Sequence, residues 1–496
     1  MKFRVTNTIA LFTFFTLLFI SCENVPEDKT VSKAKTVKKP NIVLINVDDL
    51  GWKDLGFMGS SYYETPNLDA FAKQGIVFTN AYASAANCAP SRACLLSGLN
   101  TPRHGVFTVS PSGRGNTKTR KLIPIKNTKH LNDSIYTLPE MLKSAGYITS
   151  SFGKWHVGDN PLEQGIDVNV GGSSRGNPGI GGYFSPYNID FIEDGSKGEY
   201  LTDRLTNEAI SFIEKSKDTT FFVYLPYYTV HTPIMGKENL IEKFIDKKGI
   251  DGQDNPEYAA MVASMDENVG KVLASLKENG LEENTLVIFT SDNGGIRKIS
   301  SQNPLRAGKG SYYEGGIRVP LVIRWPGVAS PNTTTNQVAS NLDFYPTLQN
   351  IVHPKKTVTL LDGIDLNSTI KGKKTTNRDL IFHFPIYLQK YSNGNDEGRD
   401  VIFRTRPGSS IISGNWKLIQ YFEDNAMELY NLQEDIGEKN NVYNSHPEKA
   451  SELYKKLDDW RLKTNAPIPT ELNPDYDSIF ERKQIEKIIK KEINKI

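Results

Sequence analysis

Short apolar runs alternate with helical signals along the first two thirds of the chain. Asn41 to Val47 (NIVLINV) is continuous and β-branched, which predicts a strand buried on both faces of a parallel sheet. Phe221 to Leu225 and Leu286 to Thr290 read the same way, and Ile76 to Phe78 and Tyr147 to Phe152 predict two more strands. Between them lie helices with recognisable ends. Thr65-Pro66 opens one through Lys73, with Gly75 just past its end. Thr137 and Glu140 make a capping-box pattern for another that runs to about Ala145 and stops at Gly146. Pro256 starts the longest, with Met261, Val262, Met265, Val269, Val272, Leu273 and Leu276 on one face and Gly280 terminating it.

Strands alternating with helices predict an α/β fold: a mostly parallel central sheet flanked by helices. Polar residues recur just after the strands: Asp48, Asp49, Lys154, His156, His231, Asp292 and Asn293. Ligands of open α/β sheets bind beyond the carboxyl ends of the strands, so these residues are expected in one cleft. The texture changes over Asn367 to Arg378, which is polar and rich in Lys and Thr. Beyond it, Leu380–Phe384, Val401–Arg404, Ser410–Ser413, Trp416–Phe422 and Glu428–Leu432 predict a smaller antiparallel sheet, with a helix over Pro447 to Leu462. The expected organisation is a catalytic domain over 41–370 and a C-terminal α/β subdomain with a helical tail over 371–496. The tail presents Ile485, Ile488, Ile489, Ile493 and Ile496 on one stripe and is expected to dock on the body, membrane-surface contact being the other reading.

The N-terminus changes where this protein works. Lys2 and Arg4 precede a twelve-residue apolar run, Ile9 to Ile20, too short to span a bilayer. Phe19-Ile20-Ser21-Cys22 resembles a bacterial lipoprotein cleavage box. Residues 1–22 are therefore expected to be an export signal, Cys22 the lipidated first mature residue, and 23–40 a flexible tether. The expected location is the outer membrane, on the periplasmic side or at the cell surface; Glu23, Glu27 and Asp28 lean to the surface. Removing Lys2 and Arg4 leaves 57 basic residues against 57 acidic, so there is no global field to hold nucleic acid. Three cysteines, Cys22, Cys88 and Cys94, are too few for a disulfide framework, and a six-residue separation of Cys88 from Cys94 suits neither zinc nor a redox pair.

Cys88 sits in Asn87-Cys-Ala-Pro-Ser-Arg-Ala-Cys-Leu-Leu-Ser-Gly98. Pro90 favours a helix start, which places Cys88 where exposed N–H groups and the helix dipole favour an anion. A buried structural thiol and a dipole-activated thiolate are both consistent with that position. Cys88, Pro90, Ser91, Arg92, Ser97 and Gly98 match the signature of the type I sulfatases of the alkaline phosphatase superfamily. The resemblance extends, in order, through Asn46-Val-Asp48-Asp49-Leu-Gly51, Gly153-Lys154-Trp-His156, His231-Thr-Pro233, Ser291-Asp292-Asn293-Gly294, Gly308-Lys309-Gly310 and Leu342-Asp343-Phe-Tyr-Pro346, roughly residues 40 to 465.

The resemblance implies an alkaline-phosphatase-like fold and a sulfuric ester hydrolase. It implies that a formylglycine-generating enzyme oxidises Cys88, whose hydrated aldehyde attacks sulfur. Asp48, Asp49, Asp292 and Asn293, joined by the modified Cys88, would hold one metal ion. Hard oxygen donors favour Ca2+ or Mg2+ over zinc, and an exported location favours Ca2+. Asp292 would be the base for the attacking hydroxyl, His231 with Lys309 would protonate the leaving alcohol, and His156 would take the second hydroxyl proton. Lys154, Lys309 and Arg92 would neutralise charge. Lys154, His231, Lys309 and His104 are expected substrate contacts. Of the seven His residues, His130, His353, His383 and His446 are read as structural. Cys94 reads as structural too.

Lipid-anchored enzymes of this kind resemble bacterial polysaccharide sulfatases, so a sulfated oligo- or polysaccharide of ulvan, carrageenan or fucoidan type is the expected substrate. Arg114, Lys118, Arg120, Lys121, Lys126 and Lys129, with Arg175 in the glycine-rich stretch Gly171 to Gly182, are expected to rim the cleft and meet neighbouring anionic sugars. A phosphatase or phosphonate monoester hydrolase of the same superfamily, and a catalytically dead glycan-binding homologue, are the competing readings.

Overall fold

A strand apolar on both faces must be covered on both sides, and the computed structural model shows how this chain does it. It describes residues 39–373, 377–391 and 396–493, with side chains up to 491. The expected export signal, Cys22 and all but the last two residues of the tether lie outside the described residues. In chain order the strands are β1 (Asn41–Val47), β2 (Ile76–Phe78), β3 (Ala81–Tyr82), β4 (Ile148–Phe152), β5 (Val168–Val170), β6 (Phe221–Leu225), β7 (Thr285–Ser291), β8 (Leu321–Arg324), β9 (Thr333–Thr335) and β10 (Ala339–Ser340). Eight of them form one sheet in the order β5-β4-β6-β1-β7-β8-β2-β9, while β3 pairs with β10. From β5 to β7 every pairing is parallel; β8 runs antiparallel to both β7 and β2.

Alternation along β1 divides the core. Val43, Ile45 and Val47 face one layer, where the Pro256–Glu278 helix supplies Met261, Met265, Val269 and Val272. Ile42 and Leu44 face the other, against the Cys88–Ser97, Leu138–Ser144 and Phe344–Val352 helices through Ala93, Leu96, Met141 and Leu348. The predicted capping box is formed: Thr137 accepts from the Glu140 N–H and Glu140 accepts from that of Thr137. The strand expected from Tyr147 begins one residue later, at Ile148.

The C-terminal strands are β11 (Asp379–Phe384), β12 (Leu388–Gln389), β13 (Phe403–Thr405), β14 (Gly408–Ser413), β15 (Trp416–Tyr421) and β16 (Met427–Asn431). An antiparallel sheet is present, in the order β11-β14-β15-β16. The segment expected to join it through Val401–Arg404 does not: β13 pairs instead with β12 in a separate ribbon. The Pro447–Thr464 helix covers the outer face through Ala450, Leu453 and Leu457. The inner face shares a core with the N-terminal region, where Phe382, Phe384, Ile412 and Ile419 meet Tyr82, Ala86, Phe107 and Tyr312.

The last helix, Ser478–Ile493, is held at its first turn, and Ile485 and Ile488 of its stripe are half-buried. Glu481 pairs with Arg406 at 2.8 Å, and Lys118 lies over the Phe480 ring, whereas Ile489 is exposed. No helix among the described residues is long and apolar enough to cross a membrane.

Candidate active site

Parallel strands end on the same edge, so β1, β4, β6 and β7 deliver their following residues to one place. Asp48 and Asp49 follow β1, Lys154 and His156 follow β4, and Asp292 and Asn293 follow β7. His231 arrives from the loop after β6, tied to β1 by hydrogen bonds between Asp48 and both Thr229 and Val230. Cys88 is the first residue of its helix, with Asn87 at the cap. Its Sγ and one carboxylate oxygen each from Asp48 and Asp292 lie within 4.8 Å of one another.

The cluster is almost wholly buried, and its charges are interlocked. Lys154 Nζ lies 2.6 Å from Asp48 Oδ2, Lys309 Nζ 2.6 Å from Asp49 Oδ1, and Arg92 Nε 2.8 Å from Asp292 Oδ2. Arg92 also donates to the Lys154 carbonyl at 2.7 Å, so one guanidinium ties the signature helix to two strand ends. Asn293 Nδ2 donates to Asp49 Oδ1 at 2.8 Å. Asp49 and His156 have φ of 60° and 70°, left-handed backbone that a non-glycine residue adopts at a cost and that tertiary contacts must enforce.

Burial, together with the negative charges of Asp292 and Asp49, pushes Asp48 up to about 8 despite Lys154. Burial acts on Asp49 in the same direction, but Lys309 and His231 outweigh it and hold that carboxyl below its usual range. Burial and the Lys309 charge push His231 down to about 3; burial, Lys154 and Arg92 lower His156 as well. The Thr232 carbonyl, 2.6 Å from His231 Nδ1, can only accept, which assigns the proton to Nδ1 and leaves Nε2 facing Asp49 Oδ2 at 3.7 Å.

A divalent cation fits this donor set. Oδ1 of Asp48 and Oδ1 of Asn293 are buried and accept no hydrogen bond among the described residues. Such orphaned oxygens are costly unless something positive meets them. With Asp49 and Asp292 beside them, Asp48 and Asn293 make an all-oxygen set suited to a hard cation.

The structure thus brings together Asp48, Asp49, Cys88, Arg92, Lys154, His231, Asp292, Asn293 and Lys309, with His156 close by. His104 stands apart. It is buried at the far end of the signature helix, its Nε2 is 3.4 Å from Cys94 Sγ, and its Nδ1 accepts from the Val106 N–H at 3.1 Å. Both ring nitrogens are committed internally, so neither is free in this arrangement for the expected substrate contact.

The basic segment also divides. Lys118 and Lys121 lie over Phe480 and Tyr476 of the C-terminal tail, and Arg120 turns back to the Gly113 and Gly115 carbonyls. Lys126 and Lys129 are exposed. Arg175 pairs with Asp190 at 3.0 Å. Arg114 lies beside β12: its N–H meets the Tyr387 carbonyl at 3.4 Å, and the Gly115 N–H donates to Gln389 Oε1 at 2.6 Å. Sequence reasoning missed Arg404, which donates to the Lys309 carbonyl at 2.9 Å, and Gly176, which lies against the His156 ring. No motif surrounds either, and the misplaced β13 strand hid the first.

Comparison with known proteins agrees with this geometry. A family model described as Sulfatase matches residues 40–353, and one described as N-sulphoglucosamine sulphohydrolase, C-terminal, matches 308–466. The chain is similar to a sulfatase of Formosa agariphila, 34% identical over 88% of this chain and 91% of that one. It is also similar to the N-acetylgalactosamine-6-sulfatase of Mus musculus, 31% identical over 69% and 68% of the two chains. The crystal structure of Ps i-CgsB in complex with k-i-k-neocarrahexaose superposes with a TM-score of 0.70 at 28% identity, covering 88% of this chain and 95% of that one. Signature helix, buried oxygen cluster and family match together show that the chain belongs to the sulfatase family and is a sulfuric ester hydrolase.

Proposed function

We propose that this enzyme removes sulfate from a sulfated oligo- or polysaccharide, with Cys88 converted to formylglycine and Ca2+ held by Asp48, Asp49, Asp292 and Asn293. The observation that carries it is the Cys88 side chain beside the Asp48 and Asp292 carboxylates, with Asp48 Oδ1 and Asn293 Oδ1 accepting no hydrogen bond among the described residues. When present, the hydrated aldehyde supplies the nucleophilic hydroxyl, and the cation acidifies it and draws charge from the sulfate. This chain's own groups do the rest. Arg92 holds one oxygen of Asp292 and the Asp49 N–H the other, fixing the carboxylate with an oxygen within 4.8 Å of Cys88 Sγ, where it can take a proton. Lys154 and Lys309 place positive charge on two sides of the sulfate position in a site that excludes water. Lys309 and His231 Nε2 meet at Asp49 and are placed to hold and pass the proton that the departing alcohol oxygen needs. His156 Nδ1 is buried with no hydrogen-bond partner among the described residues and can accept the proton whose loss regenerates the aldehyde.

A relative named for N-acetylgalactosamine-6-sulfate and a structure holding a carrageenan hexaose support a sulfated sugar as substrate; ulvan, carrageenan and fucoidan fragments are the panel to test. Export and lipid anchoring at Cys22 would place the enzyme where such polymers are met. The test has three parts. Expressed with the maturation enzyme, the Cys88 peptide is expected to have the mass of the aldehyde or its hydrate. Cys88→Ala is expected to lose at least about 1,000-fold in kcat. Chelation is expected to lower both activity and Tm, with Ca2+ restoring them. Faster release of phosphate than of sulfate from matched monoesters, or full activity in Cys88→Ala, overturns the reading.

A further inference from the structure

Two guanidinium groups approach the reaction centre from segments that no sulfatase motif covers. Arg404 on β13 is buried; its Nε donates to the Gln389 carbonyl at 3.0 Å and one terminal nitrogen to the Lys309 carbonyl at 2.9 Å. The Tyr391 ring lies 3.9 Å from its Cζ and holds the guanidinium plane. Gly310, at φ 87°, is what lets Arg404 come so near, since a Cβ there would sit 3.0 Å from that terminal nitrogen. The Gly310 N–H in turn bonds the Ala86 carbonyl at 2.7 Å, two residues before Cys88.

Arg114 comes to Arg404 along β12: the Gly115 N–H next to it donates to Gln389 Oε1 at 2.6 Å, and Gln389 is the residue whose carbonyl takes Arg404 Nε. Arg114 donates to the Val109 carbonyl at 3.0 Å, and the preceding Thr108 accepts from Asn87, the cap of the signature helix, at 3.0 Å. Neither Arg114 nor Arg404 lies within ion-pairing distance of a carboxylate among the described residues, although Asp396, which accepts from the Tyr391 N–H at 2.9 Å, stands close enough to feel Arg404. The second terminal nitrogen of Arg404, and Nε and one terminal nitrogen of Arg114, donate to no protein group among the described residues. Arg114 is partly buried, and that burial and repulsion from Arg404 lower its pKa. Two like charges held together on rigid backbone, with donors to spare, make a site for an anion.

We infer that Arg114 and Arg404 form an anion subsite beside Lys309 that reads a second negative group, a sulfate or carboxylate, on the sugar that leaves or on the one next to it. This rests on the sulfatase reading and narrows it: the preferred substrates carry at least two anionic groups within about one sugar ring of each other. The other basic residues of the 114–129 segment are not part of it.

The experiment compares matched galactose- and N-acetylgalactosamine-based disaccharides bearing one sulfate or two, together with 4-nitrophenyl sulfate, for the parent enzyme, Arg114→Gln, Arg114→Lys and Arg404→Gln. The parent is expected to prefer a doubly charged member of a pair. Arg114→Gln is expected to cut kcat/KM on that member by about 10- to 100-fold, mainly through KM. Its 4-nitrophenyl sulfate turnover is expected to stay within about threefold of the parent, which also certifies its fold. Arg114→Lys is expected to recover part of the loss, and Arg404→Gln to act in the same direction. Turnover of 4-nitrophenyl sulfate with no preference for any doubly charged sugar, or an equal fall on both substrate classes in Arg114→Gln, overturns the subsite alone. Failure of the parent on every sulfate ester overturns the sulfatase reading and the subsite with it.

Discussion

His156 shows how single side chains are placed. Its φ of 70° turns it out of the strand end, its N–H bonds the Ser173 carbonyl at 2.8 Å, and Gly176 lies flat against its ring. A Cβ at Gly176 would come within 2.5 Å of Cε1 and Nε2 of His156, closer than such atoms approach. Gly176→Ala is therefore expected to displace the imidazole and lower kcat by about 10- to 100-fold. Tm should change by no more than about 2 °C, because no buried apolar contact is lost. Steady-state kinetics beside a thermal melt checks this, and a kcat within twofold of the parent would show that the loop does not position His156. Arg92 has the opposite character. Its carboxylate and carbonyl partners, Asp292 and Lys154, follow strand ends, so its role was visible in the signature itself.

Strands and helices carry a second lesson, through β11 and β14. His383 is buried between them, with Nδ1 2.7 Å from Ser409 Oγ and Nε2 3.0 Å from the Pro467 carbonyl. Burial pushes it down to about 3, from 6.5 in an open chain. A histidine depressed in this way is neutral in the folded state and charges more readily in the unfolded one. Its contribution is complete above pH 6.5 and is lost as pH falls toward 3. Between pH 7 and pH 5 this one group should cost about 2 kcal/mol. His383→Gln keeps a donor and an acceptor and is expected to flatten that limb; denaturant melts at the two pH values measure the difference. Reading His383 as structural is consistent with this packing.

The two sheets are joined by buried charge as well as by aromatic packing. Lys417 on β15 is fully buried, 3.0 Å from Glu314 and 2.8 Å from Glu438. Glu314 opens the turn just after the Lys309 loop, so this lysine links the C-terminal sheet to the catalytic end of the large one. Burial, against the pull of Lys417, pushes Glu438 up to about 7. Lys417→Met would leave Glu438 without a cation among the described residues and Glu314 with Arg318, 3.3 Å away, and is expected to cost about 3–5 kcal/mol at pH 8, with a smaller loss at pH 6 where Glu438 can protonate. A melt unchanged at both pH values would show that the triad does not hold the sheets together.

Much of this protein is legible from the chain alone, for local reasons. Continuous β-branched runs can only be buried strands, caps and glycines mark helix ends, and parallel order sends every strand's following residues to one edge. Asp48, Asp49, Lys154, His156, His231, Asp292 and Asn293 are therefore gathered by the sequence pattern alone. Cys88, Pro90 and Arg92 carry their meaning in adjacent positions. What the fold alone decided depends on which distant segments touch. The chain from 114 to 129 carries six basic residues and no acidic one, yet the C-terminal tail captures Lys118 and Lys121, while Arg114 lies beside the ribbon that holds Arg404. His104 carries the same imidazole as His231 but spends both nitrogens on its own helix hairpin. Arg404 looks like any arginine in a short strand until β12 draws that strand out of the sheet and against Lys309. Hydrophobic period and signature spacing encode what each segment buries; which partner it meets is set by packing between residues hundreds of positions apart, and no local pattern records that.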